Sequence, residues 1–113
     1  MGASDLGSRS EATAEFDAAV NMSPSELERW LRSDDSQQVG QKESGNESVG
    51  HASGRRIVSI TRKKQADVTE SDLVHMRKVV GFVHRHVAQR PEGDVTDTPW
   101  RASLMNWGHD PAK

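Results

Sequence analysis

The clearest pattern in the chain lies between Thr69 and Pro91, where Leu73, Met76, Val80, Val83 and Val87 recur at steps of three and four among polar neighbours. That spacing draws one stripe along an α-helix and predicts an amphipathic helix over Glu70–Arg90. Its start is also marked. Thr69 stands at the N-cap, Asp72 at the third helical position as a capping-box partner, and Val68 and Leu73 form a hydrophobic staple. Pro91 and Gly93 stop it. Ser23-Pro24-Ser25-Glu26, set between Met22 and Leu27, repeats the design and opens a second helix that ends near Ser33, with Leu27, Trp30 and Leu31 on one face. Ala12, Phe16, Ala19 and Val20 predict a short helix over Glu11–Val20. A last one follows from Thr98-Pro99 with Trp100, Leu104 and Trp107 on one face, ended by Gly108.

The intervening stretches lack such periodicity. Residues 1–10 are small and polar and predict a disordered tail, because they bury too little apolar area to offset the entropy of ordering. Residues 34–53 are rich in Gln, Ser, Gly, Asn and Lys, with Val39 and Val49 their main apolar residues, and predict a long mobile loop. In Arg55–Lys64 the residues Ile57, Val58 and Ile60 fit a short strand or a helix. A lone strand would leave its backbone groups unpaired and no other stretch alternates convincingly, so helix is the choice. The expected fold is all-α: a single small domain of four to five helices over residues 11–113, with the tail before it and the 34–53 loop inside it.

Composition narrows the setting. Only 33% of the 113 residues are hydrophobic, so the packed part is modest, and there is no Cys for a disulfide or a thiolate site. No apolar run approaches the ~20 residues that span a bilayer, and none after Met1 resembles a signal peptide. A cytoplasmic or nuclear protein without a membrane partner is expected.

The net charge of −2 hides a division. Residues 1–53 carry four Arg/Lys against ten Asp/Glu (net −6), residues 54–91 nine against three (net +6), and residues 92–113 two against four (net −2). Acidic and basic parts could neutralise each other within the fold, or the middle could present a basic surface to an anionic partner.

Patterns for catalysis or metal binding are missing. His84 and His86 are two residues apart and point ~200° from one another on a helix, while His75 lies roughly 16 Å along the axis from His86, so neither pair chelates one ion. No glycine-rich phosphate loop, nucleophile elbow or HExxH pattern occurs. Neither an enzyme nor a metal, small-molecule cofactor or prosthetic group is expected. What remains is the face of the long helix opposite its stripe, where His75, Lys78, Phe82, Arg85, His86 and Gln89 come together. With Arg55, Arg56, Arg62, Lys63 and Lys64 it suggests a phosphate-contacting surface, and Phe82 adds an aromatic. DNA is therefore the first partner considered. The plainer alternative is a solvated charged face with Phe82 packed under the 34–53 loop. The competing function is a protein–protein adaptor using the Trp-bearing helices and the acidic N-terminal half.

Four runs in order carry a resemblance: Val20-Asn21-Met22-Ser23-Pro24-Ser25-Glu26-Leu27 with Trp30-Leu31, Gly54-Arg55-Arg56-Ile57-Val58, His75-Met76-Arg77-Lys78-Val79-Val80, and Leu104-Met105-Asn106-Trp107-Gly108-His109-Asp110-Pro111. Over about Phe16 to Lys113 the chain resembles a family of short microbial conserved proteins of unknown function. Its members are commonly labelled either as a domain of unknown function or as a DNA-binding protein, so the resemblance implies no catalytic or ligand residues. The closing Gly108-His109-Asp110-Pro111 would either cap the last helix or present a His/Asp pair.

Overall fold

Hydroxyl groups set where the chain turns into helix. Ser23, Ser33, Ser48, Thr69 and Thr98 each sit in extended conformation and accept the backbone N–H of the third residue that follows, satisfying a donor the first helical turn leaves open. In the computed structural model, which describes residues 2–39 and 48–113, they start α2 (Pro24–Leu31), α3 (Asp34–Gln38), α4 (Val49–Thr61), α5 (Glu70–Val87) and α6 (Pro99–Asn106). Helix α1 (Gly2–Ala19) precedes them, and a 3₁₀ turn, Gln65–Asp67, links α4 to α5. Both predicted capping boxes form, Ser23 with Glu26 and Thr69 with Asp72. Among the described residues there is no strand, and the fold is all-α.

Two helix pairs and a wedge build the core. α1 packs along α5, α2 along α4, and α6 sits against α2, α3, α4 and α5. Phe16, Leu27, Ile57, Leu73, Val79 and Leu104 are its largest fully enclosed apolar side chains. Gly54 permits the tightest approach: a Cβ there would lie 2.5 Å from the Asn106 carbonyl oxygen and 2.6 Å from Leu31, so any larger residue would push α4 off both α2 and α6. Gly108 leaves α6 at φ +82, a left-handed turn that places its carbonyl to accept the Met22 N–H at 3.2 Å.

Three expectations change. The 34–53 stretch is not one loop: α3 occupies Asp34–Gln38 and α4 begins at Val49, six residues ahead of Arg55, because Ser33 and Ser48 supply caps without an apolar stripe to announce them. The remainder of the expected loop, residues 40–47, lies outside the described residues. α1 is longer at its start than Glu11–Val20, so helix continues into the 1–10 segment, where Arg9 Nη2 donates to the Val68 carbonyl at 2.8 Å. In α5 the stripe shifts: Leu73, Met76, Val80 and Val83 are buried as expected, but Val87 at the last helical position is 41% exposed, and Val79 is fully enclosed. Asp72, Met76, Val79 and Val83 form a second buried row, because α5 packs against α1 on one side and against α4 and α6 on the other.

Candidate nucleic-acid interface

The second side of α5 faces α4 across a polar seam. Arg56, on the outer face of α4, donates from Nη2 to the Ser71 hydroxyl at 2.7 Å and lies 3.6 Å from Asp72. Lys63, just past the end of α4, reaches the other oxygen of Asp72 at 2.6 Å. Asp72 also completes the capping box, accepting from the Thr69 N–H at 3.0 Å. The Lys63 hydrogen bond and then that backbone N–H hold its carboxyl down to about 2. One buried carboxylate thus answers two cations, which leaves the described residues of this seam with an excess of positive charge. Deeper in, Ser53 Oγ and His75 Nε2 are 2.9 Å apart.

Behind the seam runs a column of rings. Phe82 lies 4.2 Å from His86 and 4.2 Å from Trp107 by ring centroids, near-parallel to both. Two rings cannot share one face at that distance, so both faces of Phe82 are covered. His75 stacks on the same indole at 6.3 Å. Phe82, placed by its spacing on a binding face, is therefore half-buried packing between α5 and α6, and what covers it is Trp107 and His86.

The other sequence-derived site residues divide in two. Arg62 pairs with Glu28 of α2 at 2.6 Å and Lys63 with Asp72, so both hold helices together. Arg55 and Arg56 on α4, Lys64 beyond it, and Lys78 and Arg85 on α5 are exposed. Arg85 folds back along its helix, close enough that a Cβ on Gly81 would lie 3.0 Å from its Nη1. Burial first, and then the Arg56 and Lys78 charges, hold the His75 imidazole below its usual value; burial and Arg85 do the same to His86. Arg56 and Lys78 thus both act on His75, from α4 and α5.

Several residues with chemical potential are engaged in capping. His109 Nδ1 donates to the Ala19 carbonyl at the end of α1 (2.7 Å), His51 Nε2 to the Leu31 carbonyl at the end of α2 (2.7 Å), and Trp100 Nε1 to the His86 carbonyl near the end of α5 (2.6 Å). Asp110 receives a two-pronged Arg101 guanidinium at 3.0 and 3.1 Å, and its backbone is clasped by the Asn21 side chain at 2.7 and 2.9 Å. Burial alone would raise the Asp110 pKa; Arg101, the Ala112 N–H and Lys113 together outweigh it and the carboxyl stays below its usual value. The Gly-His-Asp-Pro turn accordingly caps two helices: the Gly108 and His109 N–H groups donate to the Met105 and Leu104 carbonyls at the end of α6 (2.9 and 3.0 Å), and the His109 side chain closes α1. Ser53 and His75 have the makings of a nucleophile–base pair, but Ser53 is 4% exposed and covered by its surroundings. Among the described residues no three His, Asp or Glu converge as a metal site.

Sequence reasoning missed Ser36 and Asn106. Asn106 Oδ1 accepts from Trp30 Nε1 at 2.7 Å and from Ser36 Oγ at 2.5 Å, and its Nδ2 donates to the Ser36 carbonyl at 3.2 Å. This buried polar knot fixes α6 to α2 and α3, and no hydropathy signal announces a core built on hydroxyl and amide groups.

A helical fold with a charged seam and buried caps defines a structural class, not an activity. Residues 15–105 match the family described as a protein of unknown function, DUF3140, and the chain belongs to it. That description carries no DNA-binding label. No curated protein matches, and no solved structure does. Among the described residues no helix is long and apolar enough to cross a membrane.

Proposed function

We propose that this protein is a non-catalytic nucleic-acid-binding accessory protein of the cytoplasm or nucleus that contacts phosphates through the α4/α5 seam. The carrying observation is the charge balance there: among the described residues Asp72 faces both Arg56 and Lys63, while Lys64, Lys78 and Arg85 stand exposed on α5 or on the segment between the two helices. Arg62, Lys63 and Phe82 act instead as packing and bridging residues. Binding of this kind is independent of sequence and sensitive to salt, because each neutralised phosphate releases counterions. A fluorescence titration with duplex DNA at rising salt tests it. The expected result is a steep loss of affinity, and a slope that shrinks in Arg56→Glu and Lys78→Glu. No binding at low salt would remove the proposal.

A second reading, a protein–protein adaptor, draws on a groove of about 620 Å³. Trp30, Val39, Ala102 and Met105 line it, with Asp35 and Asp97 beside them. A partner that stays bound at high salt would favour this groove over the seam, since apolar contacts resist screening.

A further inference from the structure

His75 stands where the charges of the seam converge. On its own helix Asp72 and Lys78 stand one turn before and one turn after it; α4 brings the Ser53 hydroxyl to 2.9 Å and Arg56 to 3.6 Å from Asp72, and the Trp107 indole stacks on it from the end of α6. Among the described residues the fixed charges here are Arg56, Lys78 and Asp72, and Lys63 already draws that carboxylate to itself at 2.6 Å. An imidazole in this position is half-buried under net positive charge, which favours its neutral form.

We propose that His75 is the phosphate-responsive group of this seam: a phosphate held between Arg56 and Lys78 draws a proton from solvent onto the imidazole, so that anion binding tightens as pH falls. This rests on the nucleic-acid reading for its biological ligand but not for its chemistry. The negative charge of a phosphate beside Arg56 and Lys78 offsets the repulsion that adds to burial in keeping His75 neutral. Ser53 can rotate its hydroxyl from donor to acceptor, and the imidazolium offers a donor at each ring nitrogen. By linkage, whatever the anion does to the proton, the proton does equally to the anion.

The test follows the imidazole C–H resonances of the full chain by NMR across pH in inorganic phosphate and in sodium chloride of matched ionic strength, with His75→Gln assigning the signal. Chloride screening alone relieves some repulsion, so the comparison between salts is the informative one. Phosphate should raise the His75 pKa above its chloride value by about half a unit, equivalent to about threefold tighter phosphate binding to the protonated form. In Lys78→Gln, a change at an exposed position, the phosphate-specific part should shrink. His86, whose charged neighbour is Arg85, should behave alike in both salts. Equal His75 values in phosphate and chloride would overturn the proposal. Duplex DNA then separates the two ideas. If DNA fails to bind but phosphate still moves His75, the inference holds and the nucleic-acid reading falls. If DNA binds with the same affinity on both sides of the His75 titration, the inference falls and the reading stands.

Discussion

Helix α5 has two sides built by different physics. On one side Leu73, Met76, Val80 and Val83 join Ala12, Phe16 and Ala19 of α1 in a core of alkyl groups and one ring. On the other, Asp72, His75, Phe82 and His86 meet Ser53, Arg56, Lys63 and Trp107 in ion pairs, hydrogen bonds and stacked rings. The first side depends on removing apolar surface from water and is blind to pH and salt. The second is made of groups whose charge or screening depends on the solution. A single helix thereby separates what holds the fold together from what could make its surface respond.

The sharpest break of that comparison is on the apolar side. Phe16→Ala should cost about 3–5 kcal/mol, a large part of the ~5–15 kcal/mol by which small domains are stable, and the loss should be the same at every pH where the protein is folded. Urea unfolding at several pH values measures it. A pH-dependent cost would mean the α1 side is coupled to ionisable groups after all. On the polar side, Asp72→Asn removes both ion pairs while leaving an amide oxygen that can still accept the Thr69 N–H, an effect of about 1–3 kcal/mol at neutral pH. Because the folded-state pKa of Asp72 is held below the ordinary 3.8, at about 2, its contribution is complete above the ordinary value and disappears as pH falls through that interval. Wild type and variant should therefore converge in stability toward pH 2. His75 and His86 act in a higher range: both are held below the ordinary 6.5, so acidification below that value favours the unfolded chain, which takes up protons more readily.

How much of this is legible in the sequence follows the same division. The helices with an apolar stripe behind a strong start signal, α2, α5 and α6, are readable from Ser23-Pro24-Ser25-Glu26, Thr69-Glu70-Ser71-Asp72 and Thr98-Pro99-Trp100. α3 and the first turn of α4 are not. Ser36 is the buried residue of α3, and Ser53 and Gly54 are among those of α4, so burial there follows hydrogen bonding and backbone proximity rather than hydrophobicity. The basic character of residues 54–91 is also plain in the sequence, but which cations are already paired is not. Arg62 and Glu28 are 34 residues apart, and only packing α4 on α2 brings them to 2.6 Å. Phe82 misleads for a related reason: helical periodicity assigns it a face but not what covers that face, and the cover, Trp107, comes from 25 positions away in the chain.

A smaller effect isolates the ring column. Phe82→Leu keeps an apolar side chain but removes both stacked partners, and should cost about 0.5–1.5 kcal/mol beyond the change in buried area. It should also let water closer to His86, whose low pKa owes most to burial, so that the His86 titration moves up toward its ordinary value. If stability falls but the titration stays in place, the stacking contributes packing alone and does not set the charge state of this side.

The smallest effect on stability is expected at Lys78, and for that reason it is the most informative about the surface. Lys78 is exposed on α5, so Lys78→Glu should leave unfolding within about 0.5 kcal/mol of wild type. Its effect on DNA should be out of proportion to that. Losing one phosphate contact lowers the slope of log affinity against log salt by about 0.9. Arg29→Glu on α2 is the matched control, since it makes the same change in net charge at an exposed position of another helix. If both variants weaken binding equally, DNA responds to the overall charge of the protein and no face is special. If Lys78→Glu alone lowers the slope while the Phe16 side remains intact, the polar side of α5 is an interface held in place by the apolar one.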